Sequence, residues 1–294
     1  MHVATLLANP ASPRLDRTTV ETLRNAWGGG EARWLNPGIA AEFDLPAIPG
    51  NRREVWEGLQ GLGVDLVVQP AEGRRKRLLL ADMDSTMIGQ ECIDELAAVA
   101  GFGPHVAAIT ARAMNGELDF ESALLERVAL LRDLPETVIA EVLRDRITLA
   151  PGGRELIATM TARGARTALV SGGFTAFTSA VAGMLGFHEH RANTLLAENG
   201  RLTGEVARPI LGREAKMQAL TEIAARMRIP HSAVLAVGDG ANDLGMLGMA
   251  GAGVALHAKP SVQARCDIRI NHGDLTALLY IQGYSAAEFA AEPT

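Results

Sequence analysis

The sequence predicts an α/β chain: a parallel-sheet core with an inserted helical cap, preceded by a small α+β module of ferredoxin-like order. Three observations lead there. After residue 77, short apolar runs alternate with helical patterns, as in a parallel sheet built from strand–helix units. A block of helical periodicity at 91–150 interrupts that alternation directly behind its first strand. Residues 1–76 read as βαββαβ. The length of 294 residues fits two such units, at a prior of about 150 residues per domain.

Taken in order, Val3 to Ala8 is the first strand, and Arg17 to Trp27 is a helix closed by Gly28-Gly29-Gly30. Short strands follow at Ala32–Asn36 and Ala41–Leu45, then a helix at Arg52–Leu62 stopped by Gly63, and a strand at Val64–Val68 ended by Pro70. The basic run Arg74-Arg75-Lys76-Arg77 has no interleaved aromatics and reads as a solvated link rather than a polyanion contact. These cues place the boundary at 1–76 and 77–294. Leu78–Ala81 is an all-apolar run, as a strand buried on both faces requires. In the helical block, Ile93, Leu96, Ala97 and Ala100 share a face before Gly101. Phe120, Leu124, Val128 and Leu131 repeat behind an N-cap at Asp119, and Pro135 can open a last helix reaching Arg146. Alternation then resumes: helix 153–163, strand 165–170, helix 174–185, helix 213–227, strand 233–237 and helix 242–249, with strands at Ala252–Leu256 and Asp267–Ile270. Asn199-Gly200 marks a hairpin between Ala192–Leu196 and Arg201–Val206.

Composition narrows the function classes. Hydrophobic residues make up 48% and charged residues 21%, an ordinary globular balance. The net charge of −6 disfavours nucleic acid, and it is unevenly spread: +1 over residues 1–77 and −7 over the rest. Cys92 and Cys266 alone build neither a disulfide framework nor a cysteine zinc site. No cationic leader and no apolar run of about 18 residues occurs, so no membrane partner and a cytoplasmic location are expected.

The chemistry is concentrated at strand ends. Asp82-Met83-Asp84-Ser85-Thr86 follows the Leu78–Ala81 run, and two turning carboxylates can converge on one ligand. Clustered acids repel and lose water on burial, and a hard divalent cation such as magnesium offsets both costs. Ser171-Gly172-Gly173-Phe174-Thr175 follows Ala168-Leu169-Val170 and opens a helix, offering a hydroxyl and free N–H groups to a phosphate. Lys216 adds a positive charge on a later helix, and Gly238-Asp239-Gly240-Ala241-Asn242-Asp243 puts two more acids after Val234–Val237. Each feature alone fits a turn, a cap or a surface lysine; three in one unit are harder to dismiss. The Gly238/Gly240 pair is no dinucleotide site, because Asp243 stands where a third glycine belongs. His188 and His190 read as solvated in an irregular polar stretch, and Cys92 as a small packed residue.

In order, these motifs resemble the haloacid-dehalogenase-like (HAD) superfamily, and around the first motif its phosphoserine phosphatase branch. Glu91-Cys92-Ile93-Asp94-Glu95-Leu96-Ala97, Met114-Asn115-Gly116, Asp119-Phe120, Arg127-Val128 and Ala192-Asn193-Thr194-Leu195 extend the likeness over about 78–281. The resemblance implies a HAD-like Rossmannoid core and Mg²⁺-dependent hydrolysis of O-phospho-L-serine through an aspartyl-phosphate. It implies Asp82 as nucleophile and Asp84 as proton donor and acceptor. The metal would be held by Asp82, the Asp84 carbonyl and Asp239, with Asp243 in support. Ser171, Gly172, Lys216 and Asn242 would hold the phosphoryl group. In the cap, Glu91 would meet the substrate ammonium and Arg127 its carboxylate, with Met114 and Phe120 shielding the site. Without the resemblance, Arg127 reads rather as an exposed helix residue and Met114 and Phe120 as core. Residues 1–76 are similar, in element order alone, to ACT-type regulatory domains, which implies serine as a ligand; a structural or homodimerising module fits the same order. A different phosphomonoester, transfer of phosphate to another alcohol, or an amino-acid-sensing protein with a vestigial core are the competing functions.

Overall fold

The computed structural model describes residues 1–114 and 117–290. The chain begins with β1 (His2–Ala8), α1 (Arg17–Ala26), β2 (Arg33–Asn36), β3 (Ala40–Leu45), α2 (Arg52–Gln60) and β4 (Val64–Pro70). Asp16 caps α1 by accepting the Thr19 N–H at 2.7 Å. The strands form an antiparallel sheet in the order β2-β3-β1-β4, the ferredoxin-like arrangement expected. Its core is Phe43 with Leu6, Val20, Leu23, Leu59 and Leu66.

Next come β5 (Leu78–Ala81) and four helices: α3 (Cys92–Val99), α4 (Gly103–Met114), α5 (Phe120–Ala129) and α6 (Thr137–Asp145). Asp119 caps α5 as expected, accepting the Ser122 N–H at 2.9 Å. The chain leaves and re-enters the core through two adjacent segments. Gly89 N–H donates to the Thr148 carbonyl at 3.0 Å and Ala150 N–H to the Met87 carbonyl at 2.9 Å. The helical block is therefore anchored by a narrow two-stranded neck.

The remaining elements are α7 (Gly153–Ala162), β6 (Arg166–Phe174), α8 (Thr175–Leu185), β7 (Glu189–Asn193), β8 (Leu195–Glu198), β9 (Arg201–Val206), α9 (Arg213–Met227), β10 (Val234–Gly238), α10 (Leu244–Met249), β11 (Ala252–Leu256), α11 (Pro260–Gln263), β12 (Ile268–Ile270) and α12 (Ala277–Tyr280). Six strands form a parallel sheet in the order β12-β11-β10-β5-β6-β7. Alternate residues of β5 serve opposite faces: Leu79 and Ala81 pack with the cap side, Leu78 and Leu80 with α9 and α10. That double burial is why the strand carries no polar residue.

Three expectations change. The hairpin turn sits at Asn199-Gly200, both with positive φ, but its first strand is Leu195–Glu198. Ala192 and Asn193 belong to β7 instead, because an edge strand of the parallel sheet and a hairpin arm follow each other almost without a break. His190 is not in an irregular solvated stretch but lies half-buried in β7, whereas His188 is an exposed residue just ahead of that strand, as expected. His188 Nδ1 lies 2.9 Å from Thr167 Oγ1, and His190 Nδ1 lies 3.0 Å from Thr178 Oγ1. The basic run is an irregular link with Arg75 and Arg77 exposed, as expected, but it is not without partners. Arg74 holds the buried Glu42 at 2.5 Å, Arg75 holds Glu288 at 3.0 Å, and Lys76 Nζ donates to the Gly73 and Ser232 carbonyls at 2.8 Å. Asp65, buried, further ties β4 to the second unit by accepting the N–H groups of Asn271, His272 and Gly273 at 2.8–2.9 Å.

Candidate active site

Sheet register brings the strand-end motifs together. Ala81 pairs with Val237 on one side and Leu169 on the other, so the residues following β5 and β10 and those closing β6 emerge along one carboxyl edge of the sheet. Helix α9 lies beneath, and Lys216 projects from it into the same space.

Asp82 Oδ1 accepts the Met83 N–H at 2.8 Å and lies 2.6 Å from Lys216 Nζ. The same ammonium is 2.6 Å from Asp243 Oδ1, and Asp243 Oδ2 accepts the Gly240 N–H at 2.9 Å. Gly238 is demanded by this packing, since a Cβ there would stand 2.4 Å from the Asp243 carboxyl carbon. Thr86 Oγ1 reaches Asp239 Oδ1 at 3.5 Å. Lys216 is 1% exposed and Asp243 is fully buried. Burial would lower the Lys216 pKa, but Asp82 and Asp243 more than reverse this and hold the ammonium charged. Burial and the neighbouring Asp243 push the Asp82 carboxyl well above its ordinary value, and burial with Asp243 raises Asp239 to about 6.

Carboxylate oxygens of Asp82, Asp239 and Asp243 lie within 4.8 Å of one another, all buried. One ammonium against three buried acids leaves an excess of negative charge. The donor set is all hard oxygen, so it fits a divalent cation such as magnesium.

Asp84 stands beside this cluster. Cys92 N–H donates to its Oδ1 at 3.4 Å, and a Cβ on Gly173 would be 2.9 Å from its Oδ2. Burial, then the Glu91 charge, raises the Asp84 carboxyl to about 7, so it holds a proton about half the time at neutral pH. The backbone turns at Ser85, whose φ is +56°, and the Ser85 hydroxyl donates to Glu91 Oε1 at 2.8 Å. Glu91, just before α3, is thereby fixed over the site. Cys92 is buried, and burial and Asp84 push its thiol pKa up, so it is a packed residue as expected.

Ser171 Oγ accepts the Gly173 N–H at 2.8 Å, which orients the hydroxyl at the end of β6. Phe120 packs over this loop: a Cβ on Gly172 would meet its ring at 3.1 Å and one on Gly212 at 3.2 Å. The ring is nevertheless 38% exposed, so it spans from the cap to the core as a cover rather than as core. Arg127, on the face of α5 towards the site, is half-buried and donates to the Ala123 carbonyl at 3.1 Å. Burial lowers its pKa, and the charges of Asp94, Glu91 and Asp84 oppose that. Asn242 lies beside Gly240, where a Cβ would be 2.3 Å from its Oδ1. Met114 closes α4, and its side chain is outside the described residues.

Two residues had no assigned part. Asn193, 2% exposed, donates to the Gly172 carbonyl at 2.8 Å and the Leu211 carbonyl at 3.1 Å, and accepts the Leu211 N–H at 2.7 Å. It thus locks the β6 loop to the segment entering α9. Lys259 N–H donates to the Asp239 carbonyl at 3.2 Å and its charge favours the Asp239 carboxylate. Asn193 is cued only as a member of the Ala192-Asn193-Thr194-Leu195 likeness, which assigns it no role, and Lys259 has no local sequence cue.

Comparisons with known proteins agree with this architecture. The family model for haloacid dehalogenase-like hydrolase matches residues 79–248. Phosphoserine phosphatase of Streptomyces coelicolor is 45% identical over 88% of this chain, and that of Albidiferax ferrireducens 44% over 69%. The chain spans 64% of the Streptomyces protein's length and 88% of the Albidiferax protein's. A solved HAD-family hydrolase of Salmonella enterica serovar Typhi is 30% identical with TM-score 0.87, covering 96% of this chain and 99% of its own. A substrate-bound phosphoserine phosphatase complex is 40% identical with TM-score 0.66, over 70% of this chain and 97% of that one.

Proposed function

This chain belongs to the haloacid dehalogenase-like hydrolase family, and from that premise we propose that it hydrolyses O-phospho-L-serine to L-serine and phosphate through an aspartyl-phosphate on Asp82. The observation that carries the proposal is the buried convergence of Asp82, Asp239, Asp243 and Lys216 at one sheet edge, with a half-protonated Asp84 beside them. Among the described residues, the hydrogen bonds and ion pair of the Asp82 carboxylate all fall on Oδ1, so Oδ2 is the oxygen that attacks phosphorus. As the Oδ2–P bond forms, the bond from phosphorus to the serine oxygen breaks, and Asp84 gives that oxygen its proton. Asp84, now ionised, then takes a proton from the water that attacks phosphorus, and phosphate leaves with Asp82 restored. Lys216, the Ser171 hydroxyl, the Gly172 backbone and Asn242 hold the phosphoryl oxygens, so the barrier is lowered by positioning and charge neutralisation. Asp82, the Asp84 carbonyl and Asp239, with Asp243 in support, would hold Mg²⁺, which when bound neutralises charge on both the acids and the phosphoryl group.

The cap supplies selectivity. Glu91, fixed by Ser85, takes the substrate ammonium, and Arg127 takes its carboxylate with a planar donor pair. Met114 and Phe120 exclude water when the cap closes over the bound substrate. The unit at 1–76 follows the element order of ACT-type domains, which supports serine binding or homodimerisation as its part; calorimetry of the full chain with serine, and its mass in solution, test these. For the activity itself, phosphate release is compared across phosphoserine, phosphothreonine and sugar phosphates, with and without an alcohol acceptor. The proposal expects a marked preference for phosphoserine and loss of activity in Asp82→Asn; equal rates across substrates, or no release from any, overturn it.

A further inference from the structure

At the opposite, amino edge of the parallel sheet, the first unit and the second enclose a cavity of about 500 Å³. Arg52, Arg53 and Trp56 of α2 form one wall and Ile268 and Arg269 of β12 the facing one. Leu66 and Val68 of β4 form the apolar floor, and Arg74 and Lys76 of the connecting segment close one end. Five cationic side chains thus face a space whose lining carries only two carboxylates, Glu72 and Asp267, in a chain of net charge −6.

The partners of these cations divide them. Arg52 pairs with Asp267 at 3.2 Å, Arg53 with Glu57 at 3.1 Å and Arg74 with Glu42 at 2.5 Å. Among the described residues, Arg269 and Lys76 have no such carboxylate in hand. Arg269 Nε donates to the Cys266 carbonyl at 2.8 Å and its guanidinium lies 5.0 Å from the Trp56 ring centroid. Lys76 Nζ donates to two backbone carbonyls. Burial lowers the Arg269 pKa, with Arg53 and, more weakly, Arg52 pushing the same way and the Asp267 charge opposing them in part; burial also lowers Lys76. An anion placed among them would relieve that mutual repulsion.

We propose that this cleft binds a small organic polyanion of nucleotide type, its phosphates on Arg269, Lys76 and Arg52, whose pair with the exposed Asp267 is weak enough to give way, and its apolar body against Trp56, Val68 and Ile268. The volume lies within the roughly 300–1,000 Å³ of small-molecule sites. Guanidinium forks recognise phosphate oxygens in pairs, and a cleft combining them with an apolar wall suits a base-bearing phosphate better than a bare inorganic ion. Because both units line the cleft, an occupant also fastens one to the other.

The test is calorimetric titration of the full chain with the β,γ-imido analogue of ATP, followed in parallel by tryptophan fluorescence. Saturable binding is expected, weakened about tenfold or more by Arg269→Gln and by Arg52→Gln separately, with adenosine silent and pyrophosphate weaker than the analogue. Unchanged phosphoserine hydrolysis in both variants would show that they are folded. No saturable binding, binding untouched by both substitutions, or binding displaced by phosphoserine (which would assign the anion to the Asp82 edge) overturns the proposal. Equal affinity for pyrophosphate and the analogue overturns the part assigned to the apolar wall.

Discussion

Lys216 is a buried ammonium held between two buried carboxylates, and Lys216→Met removes the charge while leaving the shape of its aliphatic stem. The ammonium is 2.6 Å from Asp82 and 2.6 Å from Asp243, with side-chain exposures of 2%, 6% and 0% for the three groups. Deleting one member of a buried ion pair costs about 3–5 kcal/mol, because the other member is left uncompensated. Here two carboxylates are left, so the upper part of that range is expected. At about 2 °C per kcal/mol for a chain of this size, the Tm in chelator falls by about 8–10 °C. Asp82 can respond by taking up a proton. Its folded pKa lies above the unfolded one, so the folded state binds more protons and stability falls as pH rises through that interval. Losing the ammonium widens the interval, and the deficit of the variant is therefore larger at pH 8 than at pH 5. A divalent cation replaces the missing charge: magnesium should raise the Tm of Lys216→Met more than that of the wild type. Scanning calorimetry with chelator and with magnesium at both pH values measures all of this. A deficit below about 1 kcal/mol that is independent of pH and of magnesium would refute the reasoning.

Other consequences are as direct. Asp84→Asn should lower kcat on phosphoserine by about 10²–10⁴, whereas with p-nitrophenyl phosphate, whose leaving group needs no proton, the initial burst of p-nitrophenol should survive and only the later hydrolysis of the intermediate should slow. With Asp84 at about 7, the leaving-group step on phosphoserine should slow as pH rises above neutrality, whereas an ordinary aspartate would be about 0.1% protonated at pH 7; a pre-steady-state pH profile reads this. Arg127→Ala should raise KM for phosphoserine about tenfold or more and leave phosphoethanolamine, which lacks the carboxylate, nearly unchanged. Asn193→Ala removes three hydrogen bonds linking Gly172 to Leu211, so about 2–3 kcal/mol of stability and much of kcat should go, while KM moves little.

What the sequence disclosed and what it withheld follow from how local each signal is. Asp82, Asp239 and Asp243 were legible because each closes or follows an apolar strand run, and neighbouring strands in a parallel sheet deliver their ends to one edge. The Asp119 cap and the Asn199-Gly200 turn were legible for the same reason: the partner groups lie within a few residues. The hairpin arm was misplaced by about three residues because Ala192 and Asn193 pair with β6. That pairing partner lies outside any local window. Asn193 stood in a quoted motif, but its locking role was silent because its partners, Gly172 and Leu211, stand 21 and 18 residues away. The basic run looked solvated because its partners, Glu42, Glu288 and Ser232, come from three distant segments. Charge runs announce themselves in a sequence; the surfaces that neutralise them do not.

The central claim is that Asp82 carries the phosphoryl group. It is tested most directly by acid-quenching the protein within milliseconds of mixing with magnesium and radiolabelled phosphoserine, then locating the label by peptide mapping. The account predicts acid-stable label on the peptide containing Asp82 in the wild type, more of it in Asp84→Asn if hydrolysis of the intermediate is slowed further than its formation, and none in Asp82→Asn. Phosphate release that proceeds with no label on that peptide, or that persists at the wild-type rate in Asp82→Asn, would contradict it.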